Sequence, residues 1–325
     1  MLYIIDNHID PYWNLAAEEY LLKHIAEPVF RLWSNTDSII IGQYQNALAE
    51  IDLDYVKANN IKVVRRMTGG GAVFHDLGNL NFTFIEPHTK SEDSNAMFRR
   101  FTAPIVEALN SLGVKAYLEG RNDLLIDGRK FSGNAMCISN GRVLQHGTLL
   151  FCASMNNLGA ALKSRPEKFI GKAVQSNVSR VTNICEHLPS PMTLDEFQKY
   201  LGEYICGNFT PYTYTEADLE AIEKLKNEKY GLDSWNFGHS PAYTTHNVKK
   251  FPGGLVEVNF TVKKGEISQL EIFGDYFFVK PTEEFVSQLI GTPHTREALL
   301  GKLTRINTPD YFSNITAEQM VEMFF

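Results

Sequence analysis

A run of three consecutive glycines, Gly69 to Gly71, constrains the fold of this 325-residue chain more than any other feature. Arg65 and Arg66 come before the run, and His75 and Asp76 follow it. Glycine has no side chain, so its backbone can adopt positive φ angles and approach a ligand closely. Bare backbone N–H groups beside fixed positive charge suit an anion such as a carboxylate or a phosphate. Valine and phenylalanine flank the loop, which predicts that strands enter and leave an anion-binding turn.

The composition indicates a folded protein that meets small molecules or a protein partner. Hydrophobic residues make up 44% of the chain and aromatic residues 12%, which is enough for a sizeable core. The formal net charge of −7 argues against nucleic-acid binding, because that function needs a basic face. No apolar run approaches the roughly 18 residues of a membrane span, and the N-terminus lacks a basic region with a cleavage site. We therefore expect a cytoplasmic protein without a membrane segment.

The four cysteines, Cys137, Cys152, Cys185 and Cys206, lie far apart and form no C-x-x-C pair. This spacing predicts neither a disulfide framework nor a zinc site, and it fits a reducing compartment. We interpret Cys137 and Cys152 as core residues, because cysteine is among the most often buried residue types.

Two turn signals define a predicted meander. Asp-Gly at 127–128 and Asn-Gly at 140–141 are strong short-range hairpin signals. They divide the strand-like residues 124–151 into three predicted antiparallel strands. Lys130 then lies just beyond the first turn of this meander.

The periodicity predicts an α+β protein of the mixed α/β type. We expect a large domain with mixed β-sheets flanked by helices, followed by a small α+β C-terminal domain. The length favours two domains, and we place them at residues 1–246 and 250–325. Helical patterns cover 14–25, 94–112, 194–205, 216–228, 282–290, 296–303 and 316–324, and strand patterns outside the meander cover 29–33, 38–41, 61–66, 79–85, 114–118, 255–262 and 267–272.

Four segments carry the candidate chemistry. They are RRMTGGGAVFHDLGNLNFTF at 65–84, GRNDLLIDGRKFSGNAM at 120–136, QHGTLLF at 145–151 and SRVTNI at 179–184. None contains a G-x-x-x-x-G-K-[ST] phosphate loop or a G-x-S-x-G nucleophile elbow. In content and order, these segments resemble the signatures of the lipoate–protein ligases, and the resemblance covers most of the chain. The same large-domain fold serves biotin ligases and octanoyltransferases, so the fold alone does not decide the chemistry.

The resemblance implies a two-step reaction that uses ATP and Mg²⁺. The carboxylate of lipoate attacks the α-phosphate of ATP and gives lipoyl-AMP and pyrophosphate. A lysine of an acceptor then takes the lipoyl group. The implied acceptors are the lipoyl domains of E2 subunits, the glycine-cleavage H protein, or both. Such a site must bring two anions together, stabilise charge on the α-phosphate and exclude water.

The resemblance also assigns roles to residues. Lys130 matches the catalytic lysine, which contacts both the carboxylate and the α-phosphate. Asp123 would hold Mg²⁺ through the phosphates of ATP, which suits an ion that keeps several waters. Arg65 is either a site residue or a surface charge. The residues expected to bind lipoate or lipoyl-AMP, besides Lys130, are Arg66, Thr68, Gly69, Gly70, Gly71, His75, Asn79, Asn122, Ser132, Gly133, His146, Lys172 and Arg180.

Other interpretations stay open at this point. Some family members carry an arginine at the position of Cys137, and octanoyltransferases use a cysteine thioester. One alternative is therefore a lipoyl or octanoyl amidotransferase that acts through Cys152 or Cys137 and needs no ATP. A second is a non-catalytic protein that binds lipoate or lipoyl domains. Single residues also have plainer interpretations, such as a solvated lysine for Lys130 and a buried structural histidine for His146.

Overall fold

The computed structural model describes residues 1–45, 47–51, 53–89, 92–154, 181–207, 211–237, 245–263 and 265–325. Within these ranges, no helix has the length and apolar character needed to cross a membrane. The strands are β1 (Leu2–Asp6), β2 (Val29–Trp33), β3 (Ser38–Ile41), β4 (Lys62–Arg65), β5 (Val73–His75), β6 (Asn79–Pro87), β7 (Ala116–Glu119), β8 (Asp123–Ile126), β9 (Arg129–Ser139), β10 (Arg142–Leu150), β11 (Thr245–Phe251), β12 (Gly254–Lys263) and β13 (Glu266–Gly274). The helices are α1 (Pro11–His24), α2 (Ala47–Glu50), α3 (Leu53–Ala58), α4 (Ser94–Ser111), α5 (Leu194–Cys206), α6 (Glu216–Leu225), α7 (Asp233–Asn236), α8 (Thr282–Leu289), α9 (Arg296–Ile306) and α10 (Ala317–Val321).

A seven-stranded mixed sheet in the order β1-β2-β6-β10-β9-β8-β7 is the largest element of the structure. Only the β1–β2 pair of this sheet is parallel. The predicted meander is confirmed as β8, β9 and β10. Its turns have positive φ at both central residues, with 49° and 75° at Asp127 and Gly128 and 51° and 71° at Asn140 and Gly141. Positive φ at both positions is the type I′ geometry that Asp-Gly and Asn-Gly favour.

A three-stranded sheet in the order β4-β3-β5 carries the glycine loop. The loop connects β4 to β5, so the expected strand–loop–strand arrangement is confirmed. Helix α1 packs against this sheet through Trp13 and Ala16, which lie in one cluster with Ile40 and Val64. On the large sheet, Phe98 of α4 belongs to the main hydrophobic core.

The C-terminal sheet, in the order β11-β12-β13, has a core of its own with α8, α9 and α10. Contacts of Tyr44 and Phe277 help to tie this part to the rest of the chain. The carbonyl oxygen of Tyr44 accepts a hydrogen bond from the N–H of Gly274 (2.7 Å), and its hydroxyl donates to Glu283 (2.9 Å). Phe277 lies in the main core, with its ring centroid 5.6 Å from that of Phe98. The segment after β13 is therefore packed against the larger part.

The expected α+β class is confirmed, whereas several element boundaries differ from the prediction. Helix α1 begins at Pro11, because Asp10 caps it by accepting from the N–H of Tyr12. Strands β1 and β11 were not predicted, and β5 was expected only as the strand that leaves the glycine loop, because its three residues are too few to show an alternating pattern. Strand β11 pairs with β12 from Thr245 onward, so the C-terminal sheet starts before the expected position 250.

Candidate active site

A cavity of about 570 Å³ lies between the large sheet, the glycine loop and the C-terminal part. Its floor follows one line of strand partners across the large sheet. Trp33 pairs with Asn81, and Asn81 pairs with Thr148. Thr148 accepts from the N–H of Gly133 (3.1 Å), and Gly133 pairs with Asp123. Because neighbouring strands lie about 4.8 Å apart, the floor spans roughly 19 Å from β2 to β8.

A β-bulge aims Lys130 into the cavity. Leu124 pairs with Ser132 but Leu125 pairs with Lys130, which leaves Phe131 as an extra residue in β9. An extra residue reverses the alternation of side chains, so Lys130 lies on the same face as Gly133 rather than opposite to it. Phe131 is thereby fully buried in the main core.

The side chain of Lys130 forms an ion pair in the cavity and stays partly exposed to solvent. Its Nζ lies 2.8 Å from Oδ1 of Asp123, and the two side chains are 39% and 42% exposed. A Cβ on Gly133 would come within 3.0 Å of the same Nζ, so glycine leaves room for the ammonium group. Lys130 therefore presents a charge that an incoming anion can reach.

Arg66 holds the glycine loop in place through hydrogen bonds to its backbone and to Thr68. Its Nε donates to the hydroxyl of Thr68 (2.9 Å), and its Nη1 donates to the carbonyl oxygen of Ile40 (3.0 Å). Its Nη2 donates to the carbonyl oxygens of Gly69 (2.7 Å) and Gly71 (2.8 Å). Burial lowers the pKa of Arg66 to about 10, so the group stays cationic at neutral pH. The loop is thus built around a fixed positive charge at the cavity wall.

The glycines of the loop are required by close backbone contacts. Gly70 has a φ of 89°, a value that residues with a side chain rarely adopt. A Cβ on Gly69 would lie 2.4 Å from the carbonyl oxygen of Tyr276, which follows β13. The loop therefore serves as a contact surface for the C-terminal part as well as a wall of the cavity.

His146 belongs to a buried polar network that also contains Thr68. Its Nε2 lies 2.8 Å from the hydroxyl of Thr68, and its Nδ1 lies 3.0 Å from both carboxylate oxygens of Glu18. Burial alone would raise the pKa of the Glu18 carboxyl, but the attraction of His146 and hydrogen bonds from His146 and Thr83 lower it overall. A carboxylate on Nδ1 fixes the ring orientation. His146 is therefore both a structural histidine and a residue that lines the cavity.

His75 offers an unpaired donor to the cavity. The side-chain amide of Asn35 lies 3.0 Å from Nδ1 of His75, and Nε2 is buried without a hydrogen-bond partner in the described part of the chain. Burial, together with the nearby Arg66 and His146, lowers the pKa of His75 to about 3. The ring is neutral at physiological pH, with Nδ1 as acceptor and Nε2–H as donor.

Asn81 provides a second unpaired donor. Its Oδ1 accepts from the side chain of Asn79 (2.9 Å), whereas its Nδ2 is buried and has no partner among the described residues. Buried donors usually have partners, so two such groups in one cavity indicate a place for a polar ligand.

One end of the cavity is apolar and the other is charged. The β2 end is lined by Leu15, Trp33, Ile40 and Val73, whereas the β8 end is lined by Asn122, Asp123 and Lys130. The C-terminal part adds charged side chains of its own. Lys250 and Asp275 line the cavity, and Nζ of Lys250 lies 3.5 Å from Oδ1 of Asp275. The cavity is therefore suited to a ligand that is apolar at one end and anionic at the other.

Comparison with known proteins finds related families and a related protein that together match almost the whole length of the chain. Residues 10–206 match the model of the lipoyl protein ligase A/B catalytic domain, and residues 240–324 match that of the bacterial lipoate protein ligase C-terminus. The lipoate-protein ligase LplJ of Bacillus subtilis (strain 168) is 42% identical over 334 residues, which cover 100% of both chains.

The chain belongs to the lipoate–protein ligase family.

Two solved structures agree with this membership. The structure of P. falciparum LipL1 in complex with lipoate has a TM-score of 0.77 and 26% sequence identity, covering 94% of each chain. The structure of a lipoate-protein ligase A bound with ATP has a TM-score of 0.63 and 29% identity, and it covers 73% of this chain and 99% of the other.

Most of the site residues expected for a lipoate–protein ligase line the cavity, and four do not. Thr68, Asn79 and Ser132 lie behind its wall, where they support His146, Asn81 and Asn134 through hydrogen bonds. Gly69 packs against Tyr276 instead of facing the cavity. Lys172 and Arg180 lie outside the described residues. The expected residues that line the cavity are Arg66, Gly70, Gly71, His75, Asn122, Asp123, Lys130, Gly133 and His146.

Arg65 is neither a cavity residue nor a surface charge. It is buried, and its Nη1 donates to the carbonyl oxygens of Gly42, Gln43 and Gln45 at 2.8–2.9 Å. Its role is to fix the turn after β3. The sequence also missed Trp33, Asn81, Arg121, Lys250, Asp275 and Phe277, which line the cavity but lie outside the assigned residue set.

The cysteines argue against the cysteine-dependent alternative. Cys152 and Cys185 form a disulfide with their Cα atoms 5.8 Å apart, so the expectation of no disulfide and of a core position for Cys152 is wrong. The N–H of Cys185 donates to the carbonyl oxygen of Phe151 (2.9 Å), which brings the two segments together. The core position of Cys137 is confirmed, and burial raises the pKa of its thiol to about 12. A nucleophilic cysteine must be an accessible thiolate, and neither residue meets this requirement.

Proposed function

We propose that this chain is an ATP-dependent lipoate–protein ligase, which activates lipoate as lipoyl-AMP and transfers the lipoyl group to a lysine of an acceptor domain. The observation that carries the proposal is one continuous cavity with an apolar lining at its β2 end and a charged β8 end that contains Lys130. Lipoate has the same polarity, with an apolar dithiolane ring and a terminal carboxylate. The family of the chain and the ATP-bound and lipoate-bound structures of its relatives support this assignment.

The dithiolane is proposed to bind at the β2 end. Trp33, Ile40 and Val73 provide an apolar lining there, which is the usual environment of an apolar ligand group. The unpaired donors of His75 and Asn81 line the same cavity. They would give the acyl substrate polar contacts that fix its orientation.

Activation is proposed to take place beside Lys130. An oxygen of the lipoate carboxylate attacks the α-phosphorus of ATP, a new P–O bond forms, and the bond to the β-phosphate breaks to release pyrophosphate. Negative charge grows on the α-phosphate oxygens during this step. The ammonium group of Lys130, which the bulge directs into the cavity, would stabilise that charge.

Transfer completes the proposed reaction. The neutral amine of an acceptor lysine attacks the carbonyl carbon of lipoyl-AMP, the C–O bond to AMP breaks, and the amine loses a proton as the amide forms. The proposed acceptors are lipoyl domains of E2 subunits, the glycine-cleavage H protein, or both. Since the reaction consumes ATP, we propose a cytoplasmic location, and in that reducing compartment the Cys152–Cys185 disulfide would be open to reduction.

Mg²⁺ is proposed to bind at Asp123 together with the ATP phosphates. The described ranges contain no group of three or more His, Cys, Asp or Glu side chains that would hold a metal ion. This fits an ion bound by one carboxylate, phosphates and waters, and Asp123 is a partly exposed carboxylate that lines the cavity. When bound, Mg²⁺ would neutralise phosphate charge. Asn122 hydrogen-bonds the carbonyl oxygen of Asn134 (2.7 Å) and so fixes the turn before Asp123.

We also propose the division into residues 1–246 and 250–325. The separate hydrophobic core of the C-terminal part supports two units. Strand β11 suggests that the second unit starts a few residues earlier.

Lipoate-dependent exchange between ATP and pyrophosphate tests the proposal directly. We expect exchange with the wild-type protein and a loss of about 100-fold or more for Lys130→Ala, in line with the removal of a transition-state charge. Lys199→Ala is the matched control, because Lys199 is 76% exposed on α5. Absence of lipoate-dependent exchange in the wild-type protein would refute the ligase assignment. If exchange is observed, mass spectrometry of isolated lipoyl domains and H protein after incubation with the enzyme, lipoate and ATP shows which acceptor gains one lipoyl group.

A further inference from the structure

Arg121 lies where two cavities meet. It is part of the turn between β7 and β8, where Glu119 pairs with Asp123 and Gly120 has a φ of 62°. Its side chain lines the cavity described above and also a second cavity of about 240 Å³. Phe277 lines both cavities as well.

One nitrogen of the half-buried Arg121 guanidinium group lacks a hydrogen-bond partner. Its Nη1 is buried, and no hydrogen-bond acceptor for it exists in the described part of the chain. The two acidic residues that line the cavity, Asp123 and Asp275, attract the guanidinium group but provide no hydrogen-bond acceptor to Nη1. Asp123 pairs with Lys130 (2.8 Å), and Asp275 accepts from the backbone N–H of Leu255. A buried donor that has lost water without gaining an acceptor is unfavourable. An anionic ligand in the cavity would supply the missing acceptor.

Phe277 fixes the position of this guanidinium group. The Cζ of Arg121 lies 3.9 Å from the centroid of the Phe277 ring, which is a cation–π contact. The ring is itself fixed, with its centroid 5.6 Å from that of Phe98 and the Phe277 carbonyl oxygen bound to the N–H of Ser313 (2.8 Å). A residue of the C-terminal part therefore orients an arginine of the larger part.

We propose that Arg121 binds the phosphate chain of the nucleotide and that Phe277 is the residue that positions it. The proposal rests on the ligase function proposed above. A planar guanidinium group with several N–H donors matches phosphate oxygens. Arg121 lies beside Asp123 at the charged end of the floor, away from the apolar lining at Trp33. The adjoining second cavity leaves room for the part of the nucleotide that extends beyond Lys130.

Equilibrium binding of α,β-methylene-ATP, measured by calorimetry with the full-length protein, tests the role of Arg121. We expect Arg121→Ala to weaken binding by about ten- to a hundredfold, as expected for loss of a charged hydrogen bond. Arg121→Lys should have an intermediate effect, because it keeps the charge and loses the planar donors. Lipoate binding should change by less than about twofold. The control is Arg100→Ala, since Arg100 also lies over an aromatic ring, Phe101 at 4.1 Å, but outside both cavities.

Two results would overturn the assignment of Arg121. One is an affinity of Arg121→Ala for the nucleotide analogue within twofold of wild type. The other is a loss of lipoate affinity with unchanged nucleotide affinity. If Arg121→Ala unfolds at a lower temperature than the assay allows, Arg121→Lys decides the question alone, because its affinity must still fall below that of the wild type.

A double-mutant comparison tests whether Phe277 acts through Arg121. Phe277→Leu should weaken binding of the analogue by about three- to tenfold in the wild-type background, the range of a cation–π contact. It should have no further effect in the Arg121→Ala background. Equal effects in both backgrounds would mean that Phe277 has a packing role only. Analogue binding needs no turnover, so failure of the ATP–pyrophosphate exchange would refute the ligase proposal without deciding the result for Arg121.

Discussion

The contact between the glycine loop and the C-terminal part leads to a prediction for Gly69→Ala. The added Cβ would lie 2.4 Å from the carbonyl oxygen of Tyr276 and 3.4 Å from the Cα of Phe277. Real Cβ atoms essentially never come within 3.0 Å of such an atom, and here the neighbour is backbone rather than a flexible side chain. The loop or the segment after β13 must therefore move by about half an ångström or more.

The expected loss of stability follows from this displacement. Overpacking of a well-packed contact costs about 1–3 kcal/mol. Replacing glycine by alanine also reduces the entropy of the unfolded chain, which offsets about 0.4–1 kcal/mol at a compatible φ. We expect Gly69→Ala to lower the free energy of unfolding by about 1–2 kcal/mol. The variant should also bind lipoate more weakly, because Arg66 is anchored to the carbonyl oxygen of Gly69.

Gly71→Ala is the matched control in the same loop. A Cβ at Gly71 would meet only Oδ2 of Asp275, at 3.9 Å, which is an ordinary contact distance. Its stability should stay within about 0.5 kcal/mol of wild type. Urea unfolding of the three proteins, followed by intrinsic fluorescence, provides the comparison. Wild-type stability in Gly69→Ala, or a larger loss in Gly71→Ala than in Gly69→Ala, would refute the argument from the contact with Tyr276.

Three further predictions concern other parts of the site. The folded His75 stays neutral down to a pKa of about 3, whereas the ring in the unfolded chain is protonated below about 6.5, so the free energy of unfolding should fall as the pH drops through this interval. In urea unfolding between pH 4 and 6.5, His75→Asn should remove up to about 1.4 kcal/mol per pH unit of that slope. Parallel plots of unfolding free energy against pH for the wild type and the variant would contradict the assignment of a neutral ring. Val73→Asn should weaken lipoate binding about tenfold or more, because an unpaired buried amide costs about 1–3 kcal/mol. Calorimetry should show unchanged nucleotide binding, and an equal loss of affinity for both ligands would be evidence against an apolar β2 end. Cys152→Ala should lower the free energy of unfolding of the oxidised protein by roughly 3–4 kcal/mol, because the disulfide closes a loop with a sequence separation of 33 and restricts the unfolded chain. Dithiothreitol should destabilise only the wild type. Equal sensitivity of both proteins to dithiothreitol would argue that this disulfide does not stabilise the fold.

The part of the site that lies in short motifs could be predicted from the sequence. Lys130 and His75 were identified because motif residues stand beside them, and Asp127-Gly128 fixed the hairpin that carries Lys130. Some motif residues were wrongly expected to line the cavity, because the motif does not show on which side of the cavity wall a side chain lies. Ser132 and Asn79 belong to the expected segments, yet their side chains support the neighbours Asn134 and Asn81 from outside the cavity.

Long-range contacts could not be predicted from the sequence. Phe277 reaches Arg121 across 155 intervening positions, and neither residue has a local pattern that marks it. The same holds for Cys152 and Cys185, which meet because β10 ends beside the segment that contains Cys185. Such pairs depend on the tertiary arrangement and not on periodicity.

The bulge at Phe131 has a consequence for how this region tolerates insertions and deletions. The bulge lets Lys130 and Gly133 share one face of the sheet although two residues separate them. Removing Phe131 would place Lys130 two residues before Gly133, so regular alternation would keep both on the same face of the sheet. The deletion would instead remove a fully buried apolar ring from the main core. Exchanging Phe131 for another large apolar residue would leave the direction of Lys130 unchanged. In a library of single-codon deletions and substitutions, position 131 should therefore accept leucine or methionine more readily than deletion, because only the deletion leaves the core without a large apolar side chain there. A single-residue insertion between Lys130 and Gly133 should be rejected, because it would turn Lys130 away from the cavity.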